Sequence, residues 1–212
     1  MSAAGALAPI RAAVGERAPV LIFLAGPNGA GKSTFFDEYL RELGLPFVNA
    51  DVFAGMLRGA DPAARPGAID RRAFALAEQT RAALLEAGVS FCTETVFSDP
   101  EGAKLEFLER ARAAGYAVFL VFIGLESAAL SMARVMHRVA AGGHDVPDQK
   151  LRQRFPRTLA NLRAAIALVD EAYLFDNSSA RQPYRLLAVY TRGQVVSTSP
   201  PLPSWMAGLP GV

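Results

Sequence analysis

Residues 19–33 read PVLIFLAGPNGAGKS, and the order of features within them decides the fold. From Pro19 to Ala25 the run is continuously apolar and rich in β-branched and aromatic side chains, the pattern of a strand buried on both faces of a parallel sheet. It stops at Gly26. The next eight residues, Gly26-Pro27-Asn28-Gly29-Ala30-Gly31-Lys32-Ser33, match G-x-x-x-x-G-K-[ST] at every fixed position. Behind them Phe36, Tyr39, Leu40 and Leu43 recur at helical spacing, and Gly44 closes the helix. Strand, glycine loop and helix in this order make a phosphate-binding loop. Its glycines let backbone N–H groups turn inward, and the following helix adds its positive end. Lys32 then reaches the β- and γ-phosphates, and the Ser33 hydroxyl ligates Mg²⁺. The dinucleotide fingerprint G-x-G-x-x-G is not satisfied, so dinucleotide binding is not expected.

Outward from this segment, strands and helices alternate. A second short strand is expected at Pro46 to Ala50, ending at Asp51, followed by a Pro- and Ala-rich connection over 61–67. Ile69, Ala73, Leu76, Thr80 and Ala83 form a helical stripe. A third strand, Val89 to Thr95, ends at Glu94 and Thr95. Ser98-Asp99-Pro100 reads as a helix start, and the helix runs through Leu105, Leu108 and Ala111 to Gly115. Tyr116 to Ile123 is the most apolar strand and belongs at the centre. Ser127 to Ala141 and Asp148 to Val169 are helical, separated by a loop around Gly142-Gly143-His144. Ala172 to Phe175 is a fifth strand. Tyr184 to Tyr190 with Val195 to Thr198, around Arg192-Gly193, forms a hairpin. The expectation is an α/β protein of the P-loop NTPase type: three α/β/α layers, a mainly parallel central sheet, a helical lid over about 134–160 and a C-terminal β-hairpin. Residues 1–18 read as an arm or short helix, 19–200 as the domain, and 201–212 as a tail.

Composition narrows the classes further. A chain of 212 residues buries roughly 70–75% of its unfolded surface and needs no covalent staple. The one cysteine, Cys92, cannot form an internal bridge, and with two histidines it leaves too few ligands for a structural zinc site. Cys92 lies in an apolar strand and reads as core packing. Net charge is +2, with basic residues spread along the chain, so no nucleic-acid-binding tail is indicated. The longest apolar run is the 13 residues between Arg112 and Glu126, short of the roughly 18 that span a bilayer. No membrane is expected, and a reducing cytoplasm fits best.

The missing motifs exclude some P-loop classes. A guanine-reading Asn-Lys-x-Asp motif is absent, because the three lysines follow Gly31, Ala103 and Gln149. No Leu-Ser-Gly-Gly-Gln signature occurs, and no apolar run ends in the Asp-Glu pair of a hydrolytic ATPase. A phosphoryl acceptor other than water is the better expectation. Asp51, 19 residues after Lys32, is expected at a strand's carboxyl end, where it can orient an acceptor hydroxyl and take its proton. Glu94 has the same positional argument, toward Mg²⁺-bound water or the acceptor. Arg134, Arg138, His144, Arg152, Arg154 and Arg157 flank the glycine pair as a kinase lid would. His144 reads as a loop hydrogen-bonder.

In order, AGPNGAGKSTF (25–35), FVNAD (47–51), TETVFS (93–98), RVMHRVAAGGHDVP (134–147), RQRFPRTLANL (152–162) and FDNS (175–178) resemble the zeta toxin family. The resemblance implies a kinase that uses ATP and Mg²⁺ and phosphorylates a nucleotide sugar, UDP-N-acetylglucosamine in characterised members. By position it implies that Gly26, Pro27, Asn28, Gly29, Ala30, Gly31, Lys32, Ser33 and Thr34 bind ATP. Asp51 becomes the base, with Glu94 and Thr95 lining the acceptor side. Arg138 and Arg154 become the phosphate-touching arginines, with Arg134, Arg152 and Arg157 able to exchange roles with them. Such toxins are usually restrained by a small antitoxin protein. A nucleotide-dependent regulatory protein and a kinase of another small acceptor are the alternatives.

Overall fold

The computed structural model describes residues 2–140 and 146–212. Its centre is a seven-stranded sheet. The strands are β1 (Val20–Ala25), β2 (Phe47–Val48), β3 (Phe91–Thr95), β4 (Ala117–Gly124), β5 (Glu171–Asp176), β6 (Arg185–Thr191) and β7 (Gln194–Thr198), in the spatial order β2-β3-β1-β4-β5-β6-β7. The first five are parallel, and β6 and β7 add an antiparallel hairpin at one edge. The expected mainly parallel sheet with a C-terminal hairpin is therefore present. β4 occupies the middle, as its apolar sequence requires.

Every residue of β1 is buried because both of its faces are covered. Leu21, Phe23 and Ala25 pack with α5 (Pro66–Glu86) and α6 (Ala103–Ala113). Val20, Ile22 and Leu24 pack with the helical run that follows the phosphate-binding loop and with the N-terminal helices α1 (Ala3–Ala6) and α2 (Ala8–Val14). Leu7 and Ile10 are fully buried, so residues 3–10 dock on the sheet. The run after the loop is α3 (Lys32–Phe35), continued by a π turn (Phe36–Leu40) and a 3₁₀ turn (Arg41–Leu43), with Gly44 closing it at φ +66°.

Several boundaries move for local reasons. The helix expected from Ser98 begins at Ala103, after Gly102 at φ +80°, and the Asp99 carboxylate accepts from the Lys104 N–H. The buried stripe of α5 is Ile69, Ala73, Ala77, Arg81 and Leu85 rather than one ending at Ala83. The last dozen residues also pack inward: Trp205, Met206 and Leu209 are buried. The Trp205 ring packs on Phe122 with centroids 5.6 Å apart and against Gly124, where an added Cβ would meet the indole at 2.3 Å. Trp205→Ala is therefore expected to cost about 3–5 kcal/mol, read from urea unfolding curves. An unchanged midpoint would mean that the segment does not hold the core.

Candidate active site

β1 delivers the chain into the loop at Gly26. Its φ is +148°, and a Cβ there would stand 2.2 Å from the Ile123 carbonyl oxygen, so only glycine lets the loop leave between β1 and β4. The loop carbonyls are then tied outward by side chains from elsewhere. Ser131 Oγ donates to Asn28 O at 2.6 Å, Asn177 Nδ2 to Ala30 O at 2.8 Å, and Tyr184 Oη to Gly31 O at 2.9 Å. Arg134 reaches Gly29 O at 3.5 Å. With the carbonyls of 28–31 held from outside, the opposite face of the loop is left mainly to N–H groups, while Pro27 O stays within the loop and accepts from the Ala30 N–H. Burial pushes the Tyr184 phenol up to about 12, so it stays a proton donor at neutral pH.

The chemistry-bearing side chains converge beyond the loop. Lys32 is 6% exposed and donates to Pro27 O at 3.1 Å, with Glu94 Oε1 at 3.8 Å. Burial lowers the Lys32 pKa. The Glu94 and Asp51 carboxylates push it back up, and Arg138 lowers it. Ser33 Oγ donates to Glu94 Oε2 at 2.9 Å, and Asn49 Nδ2 donates to the same oxygen at 2.8 Å. Thr95 Oγ1 accepts from the Phe97 N–H at 3.1 Å and so shapes the loop after β3. Thr34 is exposed, and its side chain pairs with Tyr184.

Asp51 is placed differently from the sequence expectation. It lies in the first turn of α4 (Ala50–Ala60), not at the end of a strand, because β2 closes at Val48 and Asn49 caps the helix. Asn49 Oδ1 accepts from the Asp51 N–H at 2.7 Å. The exposed Asp51 carboxylate still acts on both Lys32 and Arg154.

Helix periodicity sorts the arginines. On α7 (Ala128–Ala140), Ser131, Arg134, Val135 and Arg138 share a face, and Ser131, Arg134 and Val135 meet the loop. Met132, Ala133 and Met136 face an open groove of about 380 Å³, which Arg152 also lines. On α8 (Asp148–Ala165), Arg154, Arg157, Thr158 and Asn161 follow at i, i+3, i+4 and i+7. Burial and the neighbouring Arg157 lower the Arg154 pKa and the Asp51 carboxylate raises it, which sets Arg154 within electrostatic reach of Asp51. Thr158 Oγ1 donates to Val96 O, and Asn161 Nδ2 to Phe97 O and Asp99 O, which pins the β3–α6 loop with Phe97 at φ +60°. Arg138 acts on Lys32 and Arg154 is reached by Asp51, Arg157 lies beside Arg154, Arg134 braces a loop carbonyl, and Arg152 lines the groove. Ala141 to Asp145, with His144 and the glycine pair, lie outside the described residues.

Sequence reading missed two residues. Arg81 is 3% exposed inside a helix that was expected to bury Thr80 and Ala83. Its guanidinium donates to Thr93 Oγ1 at 2.6 Å and to Glu94 O at 3.2 Å, and pairs with Glu78, so it holds the end of β3. The signal was the i, i+4 row of Ala73 and Ala77 continued by Arg81. Asn49 is 6% exposed, and only its neighbours in space mark it. Cys92 is buried at 1%, with its thiol pushed well up by burial, which leaves it inert packing.

A family model described as "Zeta toxin" matches residues 9–186. Comparison with curated protein sequences finds no match. Among solved structures, the PezAT chromosomal toxin–antitoxin system of Streptococcus pneumoniae is similar at TM-score 0.60 and 17% identity, over 86% of this chain and 78% of that one. The AvrRxo1-ORF1:AvrRxo1-ORF2 complex with sulphate ions is similar at TM-score 0.69 and 20% identity, over 92% of this chain. The same pair has been solved with ATP. This chain spans 65% of the AvrRxo1 chain it matches.

Proposed function

Because the chain belongs to the zeta toxin family and is a phosphotransferase on a P-loop kinase fold, we propose that it moves the γ-phosphoryl group of ATP to a hydroxyl of a nucleotide sugar, UDP-N-acetylglucosamine first among candidates. One observation carries the reading. Glu94 stands 2.9 Å from the Ser33 hydroxyl and 3.8 Å from the Lys32 ammonium, while a second carboxylate, Asp51, acts on the same lysine. Two carboxylates at separate strand and helix ends leave one for the cation side and one for an acceptor hydroxyl.

In this proposal residues 26–34 form the phosphate cradle, through backbone N–H groups except at Pro27, which has none, and Ala30, whose N–H donates to Pro27 O at 3.2 Å. Lys32 balances charge on the β- and γ-phosphates. Ser33 Oγ and Glu94 are an oxygen donor set that fits Mg²⁺, which would add charge neutralisation between the phosphates. Asp51 orients the acceptor hydroxyl and takes its proton as the new O–P bond forms and the bond to the ADP oxygen breaks. Glu94 and Thr95 border the acceptor side. Arg138 and Arg154 contact the phosphates, with Arg157 beside Arg154. A reaction that draws on ATP and a nucleotide sugar supports a cytoplasmic setting. Among the described residues no helix is long and apolar enough to cross a membrane. The toxin–antitoxin pairing of the PezAT neighbour supports a small antitoxin protein as partner.

The test offers γ-³²P-labelled ATP and Mg²⁺ with UDP-N-acetylglucosamine, nucleosides, simple sugars and water in parallel. Label on the nucleotide sugar is the expected result. Label on another acceptor would keep the kinase and change its substrate. ATP binding with no label anywhere would replace the reading with a nucleotide-gated regulatory protein.

A further inference from the structure

The proposed reaction needs two groups from different elements at a fixed separation: the acceptor-side carboxylate on α4 and the cation-side carboxylate at the end of β3. β2 and β3 are paired over only two residues, Phe47 with Cys92 and Val48 with Thr93, and the pairing ends before Asn49. Past that point no backbone ladder sets how α4 sits against Glu94. One side chain spans the gap. Asn49 Oδ1 accepts from the Asp51 N–H at 2.7 Å, and Asn49 Nδ2 donates to Glu94 Oε2 at 2.8 Å. That same oxygen accepts from Ser33 Oγ at 2.9 Å. Thr93 Oγ1 donates to Val48 O at 3.0 Å and accepts from Arg81, which steadies the strand ends just behind.

We propose that Asn49 is a positioning residue that sets the distance between Asp51 and the Ser33–Glu94 pair by using both ends of its amide at once. The inference rests on the roles given above to Asp51 and Glu94. An amide is suited to this work because one end accepts and the other donates. Aspartate and serine at this position could cap the helix equally well, but neither can cap α4 and donate to Glu94 as the amide does. Helix capping alone therefore does not call for asparagine, whereas the link to Glu94 does.

Asn49→Ser separates the two roles, because it keeps a helix cap and loses the reach to Glu94. The thermal midpoint is expected to stay within about 3 °C and the KM for ATP within about twofold, while kcat falls roughly 10- to 100-fold, as for outer residues that orient a reacting group. In a Glu94→Ala background the same substitution should cost less than about twofold, because its partner is already gone. Wild-type kcat in Asn49→Ser, or equal losses in both backgrounds, would overturn the proposal. Asn49→Asp, which caps the helix but sets a carboxylate against Glu94, should lose at least as much kcat, and wild-type turnover there would overturn it too. If the unaltered protein transfers phosphate to no acceptor, the kinase reading fails separately. The separation of the Asp51 and Glu94 carboxyl groups in crystals of Asn49→Ser is then the readout: a separation equal to that in the unaltered protein overturns the Asn49 assignment, and a changed one supports it.

Discussion

Asp51→Asn is expected to lower kcat for phosphoryl transfer by about 10²–10⁴-fold, the range that positioned proton acceptors contribute, with ATP affinity kept within a few-fold. The substitution is nearly isosteric. The Asn49 cap on the residue 51 N–H stays in place, since it uses backbone, and α4 keeps its first turn. What changes is charge: the acceptor hydroxyl loses the group that would take its proton, and Lys32 loses one of the two carboxylates that favour its charged form. Removing an acidic group from a helix's first turn costs only about 0.3–1 kcal/mol, so folding does not confound the assay. Single-turnover transfer from prebound ATP measures the effect directly. Transfer within twofold of wild type would remove Asp51 from the role of base.

Lys32→Ala is expected to reduce both nucleotide affinity and transfer. A charge-assisted contact is worth about 1.5–3 kcal/mol, so ATP should bind roughly 10- to 100-fold more weakly. Transfer should fall about 10²–10³-fold in all, because the lost charge would act most on the transition state. Calorimetric titration with ATP and the transfer assay separate the two, and unchanged affinity would argue against a phosphate contact. A second signature is alkaline. Burial holds the folded pKa of Lys32 below its unfolded value of 10.5, so the unfolded chain binds more protons between those values and stability rises with pH across that window. Lys32→Ala should lack this rise when denaturation is compared with wild type from neutral pH upward.

Local pattern made much of the fold legible. β1 and β4 are apolar throughout because both faces of a central parallel strand are covered, and the glycine loop between β1 and α3 is a contiguous motif. The faces of α7 and α8 were not sorted by sequence, which left Arg134, Arg138, Arg152, Arg154 and Arg157 able to exchange roles, because periodicity groups residues on a face without saying which face meets the loop. Asp51 was anticipated as a residue but not in its place, because a strand of two residues carries too little pattern to show where it ends. The docking of Trp205 was hidden for a similar reason. A short segment rich in proline and glycine has no period, and its burial depends on Gly124 leaving room for the ring.

Sequence alone determined the P-loop, its lysine and serine, the strand order of chemistry along the chain and the likeness to a kinase family, because each is a local spacing of residue types. Only the tertiary structure decided which side chains meet. It brought Glu94 to Ser33 across 61 positions and Asn49 to Glu94 across 45, turned Arg134 to the outside of the loop, and buried Arg81 behind β3. Such contacts depend on the register of paired strands and on which face of a helix the sheet covers, and these are settled by packing of the whole core rather than by neighbours in sequence.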